Sequence, residues 1–318
     1  MSVPNVCKGW FTGQHRVCFT MWETTELPIH FKTWLGQYDQ IIVPCEQNVE
    51  LFSEFHDNVK YVPLGVDHKF WKPEPHFPDG PFRFHAGGSL WMRKGLDIVV
   101  KAFTALGLPN SELHIKAAPH ARDTPNNLPP NVFLYREWMN GEQQREWFHK
   151  ADCFIAASRG EGFGLMPLQA IAAGIPTILS ETFGQAQFAD AAWKTIPVTK
   201  SKANTVGFWD EPDQKVLEEL MMLAYQSRGS LRDEAKPGVA KTEPFAWKHS
   251  TRKLLAAVPS GVKLDDPIYE EPNVRVEAQV NRRVNAVIGS EILKLVPGVT
   301  YRISENSYHM LTDSGAIV

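Results

Sequence analysis

The sequence predicts an α/β protein. A doubly wound, Rossmann-type parallel-sheet domain is preceded by a shorter α/β segment and followed by a small β-rich module. Three observations predict this. Short apolar runs alternate with amphipathic stretches of helical spacing from residue 17 to residue 257. Two of those runs end in glycine-rich turns that open helices, at Gly87-Gly88 and around Gly160, Gly162 and Gly164. Beyond Pro259 the spacing changes to period two. Parallel strands need a crossover between them, so strand–helix alternation marks a parallel sheet with helices on its faces. Period-two patterning broken by Pro-Gly marks antiparallel strands.

The elements follow in order. Residues 17–21 (Val-Cys-Phe-Thr-Met) predict a buried strand, 28–37 a helix and 40–43 a second strand closed by Pro44. Residues 46–55 predict an amphipathic helix and 59–62 a third strand. A loop with four prolines between Lys72 and Pro81 then interrupts the pattern and reads as a linker. The alternation resumes with strands at 82–86, 112–117, 132–134, 153–157 and 177–179. Helices are predicted at 96–106, 141–150, 167–173, 217–226 and 244–257. The period-two tail contains Val274-Arg275-Val276-Glu277-Ala278-Gln279-Val280 and Pro297-Gly298-Val299-Thr300-Tyr301-Arg302-Ile303. The domain boundaries read as 1–64, 65–258 and 259–318, against about two domains expected from 318 residues.

Composition narrows the function classes. Hydrophobic residues at 43% and charged residues at 22% exclude wholesale disorder. The 33 Lys and Arg against 36 Asp and Glu give no general drive toward nucleic acid or an anionic membrane. The longest nearly apolar stretch, residues 165–179, is broken by Pro, Gln and Gly and is too short to span a bilayer. The N-terminus lacks a signal-peptide pattern. Four scattered cysteines form no metal-ligand pairs, and free thiols in a reducing cytoplasm are the expectation.

Two constellations carry chemistry. Gly87-Gly88-Ser89-Leu90-Trp91-Met92-Arg93-Lys94-Gly95 follows a strand and opens a helix. Glycines let the backbone approach a phosphate, a helix N-terminus offers free N–H groups, and Arg93 and Lys94 add positive charge. The plain alternative is an ordinary turn with a solvated Arg-Lys pair. In the second, Ser158-Arg159-Gly160-Glu161-Gly162-Phe163-Gly164-Leu165-Met166-Pro167, three glycines bracket one acid. Such a loop can wrap a polar ligand with N–H groups and a carboxylate; otherwise it is a turn exposing Glu161. Two crevices of this kind in one doubly wound domain favour a ligand at the carboxyl ends of the strands.

With these residues in place, residues 82–257 resemble the donor-binding domain of retaining GT-B glycosyltransferases, in particular glycosyltransferase family 4. The matching landmarks are Val62-Pro63-Leu64-Gly65-Val66-Asp67, Arg93-Lys94-Gly95-Leu96-Asp97, Glu161-Gly162-Phe163-Gly164-Leu165, Ala172-Ala173-Gly174-Ile175-Pro176 and Phe245-Ala246-Trp247-Lys248. Residues 17–64 resemble the end of that family's acceptor domain, which implies a GT-B-like fold with a reduced N-terminal domain. The resemblance implies that Glu161 accepts hydrogen bonds from donor-sugar hydroxyls. It implies that the backbone from Phe163 through Gly164 and Leu165 to Met166, together with Gly87, Gly88 and Ser89, holds sugar and diphosphate. Arg93 and Lys94 then neutralise the leaving group. Gln169 stands where the family has a second Glu for the ribose, and Ser89 where many members carry an Arg. Glu137 and Trp138, in Tyr135-Arg136-Glu137-Trp138, fall where the base is held. Many members present a His from the acceptor domain, and Glu23 takes that place here, with a salt-bridged or helix-capping acid as the plain alternative.

The resemblance further implies transfer with retention from a nucleoside diphosphate sugar, with no metal and no other cofactor. The acceptor would be a protein or glycan hydroxyl. A partner chain, a homo-oligomer or the C-terminal module would complete the acceptor site. That module is similar to small accessory β modules of bacteriophage proteins, which implies a phage-encoded enzyme in the host cytoplasm acting on virion proteins. A non-catalytic sugar- or nucleotide-binding relative is the competing reading, supported by Gln169 and the missing His. A dehydrogenase would want Gly-x-Gly-x-x-Gly after its first strand, which Gly87-Gly88-Ser89 does not supply. His85 reads as a satisfied strand-end residue. Trp22, Trp34, Trp71, Trp91 and Trp138 read mostly as packing residues.

Overall fold

A computed structural model describes residues 15–76, 79–88, 91–118, 124–125, 127–257 and four strands between 275 and 304. The chain divides into two compact units, Met1–Pro259 and Ser260–Val318. The first unit opens with β1 (Val17–Phe19), α1 (His30–Leu35), β2 (Gln40–Val43), α2 (Glu46–Ser53) and β3 (Val59–Tyr61). Its strands form a parallel sheet in the order β1-β2-β3. All of β2 is buried, as an apolar central strand covered on both faces must be. Trp22, Phe31, Trp34, Leu35 and Phe52 fill the core around it.

A second, larger sheet follows. Its elements are β4 (Phe82–Gly88), α3 (Leu96–Leu106), β5 (Ser111–Ala117), β6 (Val132–Tyr135), α4 (Gly141–His149), β7 (Cys153–Ala156), α5 (Leu165–Ala172), β8 (Thr177–Ser180), α6 (Phe183–Ala186) and β9 (Lys194–Ile196). The six strands are all parallel, in the order β6-β5-β4-β7-β8-β9. The chain starts at β4, builds outward to β6, then crosses back to β7 and builds the other way. Two βα loops therefore diverge between β4 and β7, leaving a crevice at their carboxyl ends. The loop after β4 carries Arg93 and Lys94, and the loop after β7 carries Glu161, so topology alone brings both predicted constellations together.

The unit ends with the antiparallel hairpin β10 (Val198–Lys202) and β11 (Phe208–Pro212), then α7 (Gln214–Gln226), α8 (Leu231–Lys241) and α9 (Trp247–Ala257). Leu96, Val99 and Phe103 of α3 share one core cluster with Leu217 and Met221 of α7. Trp147, Phe148, Leu168 and Ile171 of α4 and α5 belong to another. Neither the β10–β11 hairpin nor α8 is foreseen by the apolar pattern. β10 reads Val-Thr-Lys-Ser-Lys, and α8 contains Pro237 and Gly238. Gly238 is required because α8 crosses Ala191, at the end of the short 3-10 turn Ala189–Ala191, so closely that a Cβ would overlap its carbonyl oxygen. Helix α9 returns to the N-terminal sheet, where Gln40 Nε2 donates to the Ala257 carbonyl at 2.8 Å.

In the second unit, β12 (Arg275–Gln279) pairs antiparallel with β15 (Thr300–Ser304), and β13 (Val284–Ile288) with β14 (Glu291–Leu295). This is the antiparallel pairing that period-two spacing predicts. Val274, Val280 and the Pro297-Gly298-Val299 turn lie outside the described residues.

Two left-handed glycines at opposite ends of α3 give a controlled test. Gly95 has φ 64° and a Cβ there would overlap the Ala157 carbonyl oxygen, whereas Gly107 has φ 52° and faces open space. Gly95→Ala is expected to cost about 2–4 kcal/mol and Gly107→Ala only about 1 kcal/mol, the strain of the conformation itself. Urea unfolding midpoints of the two variants check the difference.

Candidate active site

The crevice is assembled by close backbone approach. Gly88 ends β4, and Lys94 folds its stem back across it, in the space where a Cβ would stand. Gly95 then brings the start of α3 against the backbone after β7. From the first sheet, the turn after β1 lays Met21 and Glu23 on the second glycine loop. A Cβ on Gly162 would lie 2.5 Å from the Met21 sulfur, and one on Gly160 would overlap the Glu23 carbonyl. Gly164, at φ 96°, turns the chain into α5 with no side-chain cap on the helix. Its loop is held from behind by Gly184, whose N–H donates to the Glu161 carbonyl at 2.7 Å.

Four charged side chains meet there. Lys94 Nζ is ion-paired with Glu161, with only 14% and 11% of the two side chains exposed. Arg93 Nη1 donates to the Gly160 carbonyl at 2.7 Å and stands 3.7 Å from Glu23 Oε1. Arg93 Nε is buried without a partner among the described residues. The two carboxyls respond oppositely. Burial pushes the Glu161 carboxyl up, but the charges of Lys94 and Arg93 and hydrogen bonds from Lys94 and the Gly164 N–H more than offset it, so it lies below its ordinary value. Burial also pushes Glu23 up; Arg93 opposes this, the nearby Glu161 charge adds to it, and Glu23 stays above its ordinary value.

Sequence reasoning missed the residue that holds these loops together. Arg159, between β7 and the glycines, is buried and donates to Asp97 Oδ1 at 2.7 Å and Oδ2 at 3.0 Å. Its other edge donates to Glu211 at 2.6 and 2.9 Å, and Nη1 also reaches the Met92 carbonyl. The Arg159 N–H donates to the Arg93 carbonyl at 2.8 Å. The signal was present as an Arg between an apolar strand and a glycine loop, with Asp97 among the landmarks. The pairing itself needs the fold.

The remaining predicted residues divide. Gly87 borders the crevice opposite the first turn of α5, because a Cβ there would lie 2.7 Å from Met166 Cε. Leu165 and Met166 are half-buried at that turn, while the Phe163 ring is buried against Phe188 and Phe245. Gln169 accepts from Gln144 Nε2 of α4 at 3.0 Å. Glu137 and Trp138 are exposed in the loop after β6, Trp138 by 76%. Ser89 lies outside the described residues. His85 sits within β4 rather than at its end. It is stacked between His114 and Trp147, with neither ring nitrogen hydrogen-bonded to a described residue, and burial holds it well below its ordinary pKa. Trp22, Trp34, Trp71 and Trp91 are buried packing residues.

Comparison with known proteins bears on this crevice. Residues 82–202, from the first strand of the large sheet through the hairpin strand β10, match the family described as glycosyl transferases group 1. The solved sucrose-phosphate synthase from Thermosynechococcus elongatus superposes with a TM-score of 0.55 at 20% identity, over 72% of this chain and 61% of its own. The fold is that of GT-B glycosyltransferases. Anabaena Alr3699/HepE, solved with UDP and glucose, superposes with a TM-score of 0.56 at 14% identity, over 71% of this chain and 65% of that one. In sequence, the lipopolysaccharide core biosynthesis mannosyltransferase LpsB of Rhizobium meliloti (strain 1021) is 28% identical over 116 residues, which is 36% of this chain and 30% of that protein. This GT-B-fold chain therefore spans less than two thirds of the length of each of these relatives.

Two outcomes test this description. Arg159→Met leaves Asp97 and Glu211 without their buried partner and is expected to lower unfolding free energy by about 3 kcal/mol, measured by urea titration. Glu23→Gln is expected to raise the melting temperature at pH 7, because the fold disfavours the Glu23 anion. The folded protein holds the Glu23 proton to higher pH than the unfolded chain does, so wild-type stability falls as pH rises above the ordinary Glu value of 4.5. The gap between variant and wild type should close as pH falls below that value, which melting curves across pH 3.5–7 (roughly the window around the Glu range) would show.

Proposed function

We propose that this chain is a retaining glycosyltransferase that moves a sugar from a nucleoside diphosphate sugar to an acceptor hydroxyl on a protein or glycan. The observation that carries the reading is the buried Lys94–Glu161 pair between Gly88 and the first turn of α5, at the switch point of the large sheet. The family match over that sheet and the likeness to a protein solved with UDP and glucose support it.

The chemistry follows from the groups present. The bond between the anomeric carbon and the diphosphate oxygen breaks, leaving negative charge on the diphosphate and positive character on the sugar. Lys94, Arg93 and the uncapped N–H groups at the start of α5 stabilise the departing diphosphate. In this reading the neutralisation of charge falls to these groups, without a metal. The acceptor oxygen attacks the same face, and its proton passes to the departing phosphate oxygen. Glu161, held as an anion, accepts hydrogen bonds from sugar hydroxyls once Lys94 turns to the diphosphate. Glu23 and Arg93 border the acceptor side, because Glu23 arrives from the N-terminal sheet.

Release of nucleoside diphosphate from a panel of nucleotide sugars tests the proposal. Turnover with one donor is expected, and Glu161→Gln should reduce it about 10²–10³-fold while circular dichroism stays native. No turnover with any donor, and no thermal stabilisation by any nucleoside diphosphate, would overturn it. Stabilisation without turnover would favour a sugar- or nucleotide-binding protein, a reading that also fits Gln169 standing where the resemblance implies a ribose-binding Glu.

A further inference from the structure

We propose that Lys116 is a third donor-binding cation of this site, contacting the diphosphate from the β5 side; the inference rests on the glycosyltransferase reading above. Lys94 is committed to Glu161, and Arg93 to the Gly160 carbonyl and Glu23. In the protein as it stands, two cations face two carboxylates, so the crevice offers an incoming dianion little net positive charge.

Lys116 changes that sum. It lies one residue from the carboxyl end of β5, where Gly87 of β4 is its cross-strand partner on one side and Tyr135 of β6 on the other. Paired residues of a sheet share a face. Along β5 the alternate residues Leu113, Ile115 and Ala117 are buried, while Glu112, His114 and Lys116 form the half-buried row on the other face. On that face Gly87 meets Met166 of α5, so Lys116 and the open first turn of α5 flank the same glycine. The Lys116 side chain makes no hydrogen bond or ion pair with any described residue, whereas those of Glu112 and His114 on the same strand are paired with each other. Burial alone holds its ammonium below the ordinary lysine value, with no neighbouring carboxylate acting against it. A partly desolvated cation without a counter-ion is a cost that a bound phosphate would remove.

The test is calorimetry on the full chain with UDP, GDP and ADP, using the one that wild type binds tightest, and with its parent nucleoside. Lys116→Met keeps the stem and removes the charge. It is expected to weaken nucleoside diphosphate binding about 10-fold and to leave nucleoside binding unchanged, with Lys116→Arg restoring most of the loss. A purely structural Lys116 would show equal loss for both ligands and no rescue, which would overturn the proposal. So would a Lys116→Met variant that binds the diphosphate as wild type does. If wild type turns over no donor and binds no nucleoside diphosphate, the glycosyltransferase reading falls first, and this inference with it.

Discussion

The site depends on the guanidinium of Arg159. Two βα loops that leave the sheet in opposite directions would otherwise diverge, and their glycines leave little side-chain packing to hold them. Arg159 bridges them with both edges, to Asp97 at the start of α3 and to Glu211 on the β10–β11 hairpin. Burial alone would favour losing the Arg159 proton, but the hydrogen bonds it donates to Asp97 and Glu211, and their charges, raise its hold on it. A planar donor fork suits this role as a lysine could not, since it fixes two carboxylates at defined angles. Its backbone carries the link further, donating to the Arg93 carbonyl and accepting from the Asp210 N–H. Arg93 and Lys94 are thus placed by the neighbour of the glycine loop they face.

Around that frame, charge is arranged so that two carboxylates of the same type differ. Glu161 sits among cations and N–H donors and is held ionised, whereas Glu23, only slightly less enclosed, is pushed toward its neutral form. Pairs of acids driven apart by their surroundings are how a fold separates chemical roles within one site. The pair also comes from different sheets, so the electrostatics of the crevice depend on the N-terminal segment lying across Gly160 and Gly162. A side chain at either glycine would lift that segment and alter both carboxyls together.

Much of this was legible in the residues. The alternation from β1 to β8 and the glycine turns follow from apolar spacing and from the absence of Cβ, properties that a sequence displays directly. Helix α5 begins at Leu165, two residues before the expected start, because left-handed Gly164 sets the entry. Other features depend on partners distant in sequence. β10 is polar and edge-like, and its pairing with β11 decides its conformation rather than any burial pattern. Helix α8 accepts Pro237 because packing against α5 and the Ala191 turn outweighs propensity. Likewise, Trp138, 76% exposed in the loop after β6, could not be told from its buried counterparts by residue type, since exposure is set by the tertiary fold.

The hydrogen bond from Gln40 to the Ala257 carbonyl joins residues 217 apart in sequence. A chain made from its N-terminus emerges in order, so the first sheet is synthesised early yet receives its last partner only when α9 has left the ribosome. Val66 and Gly65, which pack against Phe245 and Trp247, wait for the same helix. The six-stranded sheet can close around its own core well before that. The order of translation therefore makes the large sheet the template on which the earlier-made segment settles, and a ribosome-bound chain that stops short of α9 should carry a finished six-stranded sheet beside an unfinished N-terminal one.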